Sequence, residues 1–260
     1  MERRTHRRAH RIGATSGFRG IDTANQRRHY FEAGVGEALA AAYRAGVVTR
    51  ADVFLQTKFT YQPGQDHRLP YDPTARLSVQ VAQSLASSLE HLGTDYVDSF
   101  VLHGPSSNYW TDADSEVWQA MAKERDAGRT RLLGVSNVSL RHLTQMISAG
   151  SEPPTFVQNR CYARLGWDRD MRLFCRERSI RYRGFSLLTA NVEVLRHPAV
   201  AKLATEANAT PAQIIFAFAR AVGMLPLTGT SNPAHMKQDL DSHSINLSAA
   251  AIKMIESLAG

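Results

Sequence analysis

The chain has 260 residues, 43% of them hydrophobic, and two cysteines, Cys161 and Cys175. That is enough chain for one large core, and too few cysteines for a disulfide framework or a cluster of metal ligands. Net charge is +7, but residues 1–12, with five Arg and one Glu, supply +4 of it. The basic bias therefore belongs mostly to a terminal arm, residues 1–16. We read this arm as a solvated tail or the remnant of a first helix, and its lack of interleaved aromatics argues against a nucleic-acid partner. No apolar run approaches the ~18 residues of a membrane span and no signal-peptide core follows Met1, so the expectation is a cytoplasmic protein with no membrane partner.

In chain order, residues 20–24 read as a short strand that stops on an acid, Asp22. Val35, Leu39, Ala42 and Tyr43 then recur at helical spacing, with a stop near Gly46. Residues 53–58 form the second strand. The loop after it, TYQPGQDHRLPYDP, is long for a strand-to-helix connection. It reads either as a substrate lid, in which Arg68 favours an anionic or polyhydroxylated substrate, or as a surface excursion pinned by Pro63, Pro70 and Pro73. Leu77, Val81, Leu85, Leu89 and Leu92 predict a helix closed by Gly93. Further strands are predicted over 97–103, 131–137, 156–159, 180–186 and 224–229. After the third, Tyr109 and Trp110 are candidate pocket walls or the cover of a helix end. Thr210 with Pro211, and Ser248, open two later helices.

Strand–helix alternation throughout argues a parallel sheet with helices outside it. A doubly wound nucleotide fold needs a glycine-rich turn after its first strand, and Gly34-Val35-Gly36 lies inside a helical pattern instead. A TIM-type (β/α)8 barrel fits better, and there the active residues sit at the C-terminal ends of the strands. Those ends carry Asp22, Lys58, His103, Ser136-Asn137, Asn159, Ser186 and Gly229-Thr230. Any one alone reads as a turn residue. Seven in order, with Asp, Lys and His on successive strands, read as a constellation.

A carboxylate at the end of an apolar strand needs a partner, and Lys58 at the neighbouring strand end is the expected one. The chain has 26 Arg and five Lys, yet a Lys closes this strand. The plainer reading is a buried ion pair. The chemical reading adds Tyr30. A phenol beside an ammonium has its pKa lowered from ~10 and becomes a usable proton donor. His103 would hydrogen-bond the same substrate oxygen. Together these groups describe reduction of a carbonyl or its reverse, and because side chains cannot supply hydride, a nicotinamide is required.

These segments resemble the aldo-keto reductase superfamily. GFRGIDTA is similar to its Gly-x-Arg-x-Ile-Asp-Thr-Ala segment, LQTKF to the strand with the catalytic Lys, and VLHGP to the strand with the catalytic His. AGRTRLLGVSN resembles the Gly-Lys-x-Arg-x-x-Gly-Val-Ser-Asn signature. TPAQIIFAFA and GTSNPAHMKQDL resemble the C-terminal helix and cofactor clamp. The resemblance implies an NADP-dependent reductase of aldehydes or ketones, with Asp22, Tyr30, Lys58 and His103 as catalytic residues. Ser136, Asn137 and Asn159, or Gln158 in place of the last, would hold the nicotinamide carboxamide. Phe185 would stack on the ring. Ser186, Leu188, Gly229, Thr230 and Ser231 would line the pyrophosphate and ribose, with His235, Gln238 and Asp239 at the adenosine end.

Three departures bear on this. The Asp-to-Tyr spacing is eight residues where five is usual, and His29 is a rival for the Tyr30 position. The clamp lacks the usual 2′-phosphate cations, with His235 where Arg is frequent and Lys237 expected to point elsewhere, so NAD stays open. About seven strands are counted, which implies an incomplete barrel without the family's N-terminal hairpin and first strand. A misplaced start, a less stable chain and a repurposed scaffold are the three accounts of this. Besides the reductase, two readings stand: a non-catalytic nucleotide-binding barrel acting as a sensor or channel subunit, and an inactive truncated member.

Overall fold

The computed structural model describes residues 17–258. The arm at residues 1–16 lies outside the described residues. The chain divides into two compact units, residues 1–155 and 156–260.

In the first unit four strands run parallel in sequence order: β1 (Gly20–Asp22), β2 (Phe54–Phe59), β3 (Val97–Leu102) and β4 (Thr130–Ser136). Helices α1 (Glu32–Arg44), α2 (Leu77–Leu92), α3 (Asp112–Asp126) and α4 (Leu140–Ser148) follow them in turn. Every residue of β3 is buried, as expected for a strand covered on both faces. The helix boundaries follow local chemistry. Gly93 adopts φ 64° and closes α2 in the left-handed conformation that glycine reaches without strain. Thr111 and Asp114 bond each other's backbone N–H groups in a capping box that opens α3. The predicted stripe on α2 faces inward, with Val81, Leu85 and Leu92 buried. Helices α1 and α2 approach so closely that a Cβ on Gly36 would stand 2.2 Å from the carbonyl oxygen of His91.

In the second unit β5 (Phe156–Arg160), β6 (Arg181–Phe185) and β7 (Leu225–Pro226) are parallel and in order. Six helices belong to it: α5 (Arg169–Glu177), α6 (Val192–Leu195), α7 (Pro198–Glu206), α8 (Pro211–Ala221), α9 (Pro233–Asp241) and α10 (Ala249–Ser257). Thr210 and Gln213 form the capping box of α8, whose Ile214, Ile215 and Phe218 are buried. Trp167 packs on Phe218 with ring centroids 5.0 Å apart. Seven strands are thus present among the described residues, the first six within two residues of their expected bounds. The seventh is shorter than the predicted 224–229, pairing over two residues. Just beyond it, the Leu227 amide still donates to the Gly184 carbonyl at 2.9 Å.

Candidate active site

Parallel pairing brings the C-terminal ends of β1 to β4 to one edge of the first unit. Asp22 is in register with Gln56, and Lys58 lies one strand repeat further on the same face. The Lys58 ammonium is 2.7 Å from Asp22 Oδ1 and donates to the Thr23 carbonyl at 2.8 Å. Gln56 donates to the same carboxylate oxygen at 2.6 Å and accepts from the Ser99 hydroxyl at 2.8 Å. Lys58 is completely buried. Its desolvation is offset by an opposite charge and a carbonyl, which makes the pair costly to break from either side.

Tyr30 reaches this pair through a tight turn. The amides of His29 and Tyr30 both donate to the Gln26 carbonyl, at 3.3 and 3.0 Å. Arg27, Arg28 and His29 turn out to solvent, while the Tyr30 ring comes back to 4.8 Å from Lys58 Nζ. The long Asp-to-Tyr spacing is therefore absorbed by an outward excursion. The ring also meets His103 edge-on, with centroids 5.8 Å apart and planes at 69°. The turn is pinned from below. Gln26 donates to the Gly64 carbonyl at 2.8 Å, Gln65 donates to the Asn25 carbonyl at 2.8 Å, and Asn25 donates to the Ser84 carbonyl at 3.0 Å.

His103 follows β3, with its amide bonded to the Phe59 carbonyl at 2.8 Å. Its Nδ1 is 2.8 Å from the Thr60 hydroxyl. Burial, and then the Lys58 charge, push its pKa down to about 3, so the imidazole is neutral near pH 7. Either atom can donate in this bond, and the tautomer in which Thr60 is the donor carries its ring proton on Nε2. Asn137 follows β4 in the left-handed conformation (φ 56°), which asparagine tolerates better than most residues. Its amide donates to the His103 carbonyl at 2.7 Å. Ser136, next to it, is buried.

The loop after β2 is anchored rather than free. Tyr71 is buried, packs on Phe59 at 5.7 Å and donates its hydroxyl to the Thr60 carbonyl at 2.8 Å. Arg68 is committed to Asp66 through its Nε and Nη2, which holds the Asp66 carboxyl well below the usual range, and it also donates to the Arg27 carbonyl at 2.9 Å. Trp110 is buried over the start of α3, its indole donating to Ser115 at 3.0 Å, whereas Tyr109 is exposed.

In the second unit, Gln158 and Asn159 are buried on β5 and, as consecutive strand residues, face opposite sides. Phe185 ends β6 half-buried, and Ser186 beyond it is left-handed at φ 57°. Leu188 is half-buried, and its carbonyl accepts from the Asn191 amide at 3.2 Å. Gly229, Thr230 and Ser231 lead into α9, whose first turn is capped by Asn232. Asp239 accepts from the Thr228 hydroxyl at 2.6 Å, and burial raises its pKa. His235 is exposed, and Gln238 is half-buried. Lys237 pairs with Asp241 at 2.5 Å, as its helical position suggested. No described helix is long and apolar enough to cross a membrane.

Sequence reading missed Gln56, Thr60 and the Gln26–Gln65 staples. Two of these had a signal: Gln56, Lys58 and Thr60 alternate along β2 and its extension, a polar row on one face of a strand.

Comparison with known proteins agrees with this geometry. The model of the aldo/keto reductase family matches residues 4–259. An aldo-keto reductase of Mycolicibacterium vanbaalenii is 31% identical over 244 residues, covering 94% of this chain and 79% of the relative. The crystal structure of an aldo/keto reductase from Brucella melitensis is 26% identical, with TM-score 0.84 over 98% of this chain and 88% of that one. The aldo-keto reductase of Bombyx mori, solved in complex with NADP, is 24% identical, with TM-score 0.79 over 96% of this chain and 81% of that one, and speaks for the fold alone. The fold class is accordingly TIM-type α/β. With a family model matched over nearly its full length and a relative at this identity, the chain belongs to the aldo/keto reductase family of oxidoreductases.

Proposed function

We propose that this enzyme reduces a small aldehyde or ketone to an alcohol with NADPH, using Tyr30 as the general acid. The observation that carries the reading is the phenol ring 4.8 Å from the buried Lys58 ammonium, with a neutral imidazole edge-on beside it. Lys58, held by Asp22, places positive charge where negative charge develops as the phenol gives up its proton. His103, protonated on Nε2, donates to the carbonyl oxygen and orients it. A neutral donor suits this role, because it binds the oxygen without competing to protonate it. Asp22 and Gln56 fix the lysine, and Thr60 fixes the imidazole tautomer.

NADPH, when bound, supplies the hydride that side chains cannot. The residues suit such a group. Phe185 offers a half-exposed ring for stacking, and the α9 N-terminus with Thr230 and Ser231 is a setting that favours anions. Ser136, Asn137, Gln158 and Asn159 are the proposed carboxamide contacts. Ser186, Leu188, Gly229, Thr230 and Ser231 are proposed for the pyrophosphate and ribose, and His235, Gln238 and Asp239 for the adenosine end. NADP is the cofactor that the resemblance of the clamp segments implies. With Lys237 paired to Asp241, the expected preference over NAD is modest.

Steady NADPH oxidation with an aldehyde panel tests the reading. Tyr30→Phe is expected to lower turnover on the order of 10²–10⁴-fold while leaving NADPH affinity, read by fluorescence quenching, unchanged. Tight NADPH binding with no turnover on any aldehyde would overturn the proposal in favour of a non-catalytic nucleotide binder. Undiminished turnover in Tyr30→Phe would remove Tyr30 from the acid role.

A further inference from the structure

Behind the Tyr30 turn lies a cavity of about 610 Å³. Tyr30 lines it, but Asp22, Lys58 and His103 do not, so it is distinct from the catalytic edge. Its charged lining is Arg27, Arg28, Arg68, His29, His91 and Glu32. Three guanidiniums thus face a single carboxylate, and that carboxylate is turned away. Glu32 is buried and accepts from Thr57 Oγ1, from Ser88 Oγ at 3.2 Å and from His91 Nδ1 at 3.4 Å. Arg27 Nη2 lies 3.1 Å from His91 Nε2. Among the described residues Arg27 therefore has no carboxylate partner. Arg68 is bonded to Asp66, and Arg28 has no side-chain partner among the described residues. Two guanidiniums without a carboxylate, beside a third, form a concave site with excess positive charge, which suits a multiply charged oxyanion.

The residues responsible are those of the lengthened loop. Arg27, Arg28 and His29 make up the excursion that takes the Asp-to-Tyr spacing to eight. We infer that this cavity is a binding site for a phosphate-bearing small molecule, bridging the Tyr30 turn to the loop that carries Arg68. Bound there, the anion holds together the two segments that set the position of Tyr30, and of the catalytic groups it meets Tyr30 alone.

Inorganic phosphate is the probe, titrated calorimetrically into the full-length protein at ionic strength held constant with potassium chloride, since unspecific surface binding is screened. R27Q/R28Q is the test variant, and R3Q/R4Q/R7Q/R8Q is the control for the basic arm. Both alter charge alone, and unchanged melting temperatures establish that they fold. Saturable binding to the wild type is expected. R27Q/R28Q should bind one phosphate fewer, or bind it on the order of tenfold more weakly per arginine lost, while the arm variant binds as the wild type does. Phosphate should also slow amide hydrogen exchange at residues 26–31 and 66–68 of the wild type. The inference is overturned by absent saturation in the wild type, by equal stoichiometry and affinity in R27Q/R28Q, or by loss of binding in the arm variant.

Discussion

At the scale of single residues, the Asp22–Lys58 pair and its surroundings decide what the site can do. Lys58 is fully buried, whereas Asp22 keeps a quarter of its side-chain surface exposed. Lys58→Met removes the ammonium that pairs with that carboxylate at 2.7 Å. The expected destabilisation is about 3 kcal/mol, the low end for a broken buried pair because Asp22 is partly solvated. Urea unfolding measures it, and turnover should fall as well. The pair was legible in the sequence, because a carboxylate and a scarce lysine each closed an apolar strand. Gln56 and Thr60 were not singled out, since a lone amide or hydroxyl near a strand end has many uses. Their roles depend on which neighbours the register of β1 and β3 supplies. The substrate stays illegible for a related reason: loop conformation sets pocket shape, and Arg68, a candidate for substrate contact, is committed to Asp66.

Among the secondary-structure elements, the helices of the first unit leave little room for adjustment. Gly36 sits where α1 crosses the end of α2, with the His91 carbonyl 2.2 Å from where its Cβ would stand. Gly36→Ala must push two helices apart, and the obstacle is backbone rather than a flexible side chain. A loss of about 1–3 kcal/mol in unfolding free energy is expected, the usual cost of overpacking. The sequence marked the helices well, because periodicity and caps are local signals. It placed the Gly34-Val35-Gly36 run inside a helix correctly, but nothing local showed that Gly36 marks a close crossing. It also overestimated β7, since an apolar run says where a strand could form and not how far its neighbour pairs with it.

For the molecule as a whole, the pH dependence of stability carries the mark of His103. Its pKa is about 3 in the folded chain against an ordinary 6.5. Above pH 6.5 neither state is protonated there, and the contribution is full. As pH falls from 6.5 towards 3, the unfolded chain takes up a proton that the folded chain refuses. Stability therefore drops by about 1.4 kcal/mol per pH unit from this group. His103→Gln should flatten the wild-type slope between pH 6 and 4 by that amount, as measured by denaturant midpoints across the range. His103 titrating near 6.5 in the folded protein, followed by NMR, would contradict it. The alternation of strands and helices, and hence the fold class, was legible from the whole sequence. The eight-residue spacing is a departure from the family's pattern, and a turn on the Gln26 carbonyl brings the Tyr30 ring back beside Lys58.

The crossed amides beneath that turn have a practical consequence. Gln26 grips Gly64, and Gln65 grips Asn25, so residues 22–30 and 60–71 are two halves of one fitting. A chimaera that borrows either half alone takes away the partners of two groups on the other, a glutamine amide and a backbone carbonyl. One that borrows both keeps every clasp closed, so the exchangeable module here is a pair of loops far apart in sequence.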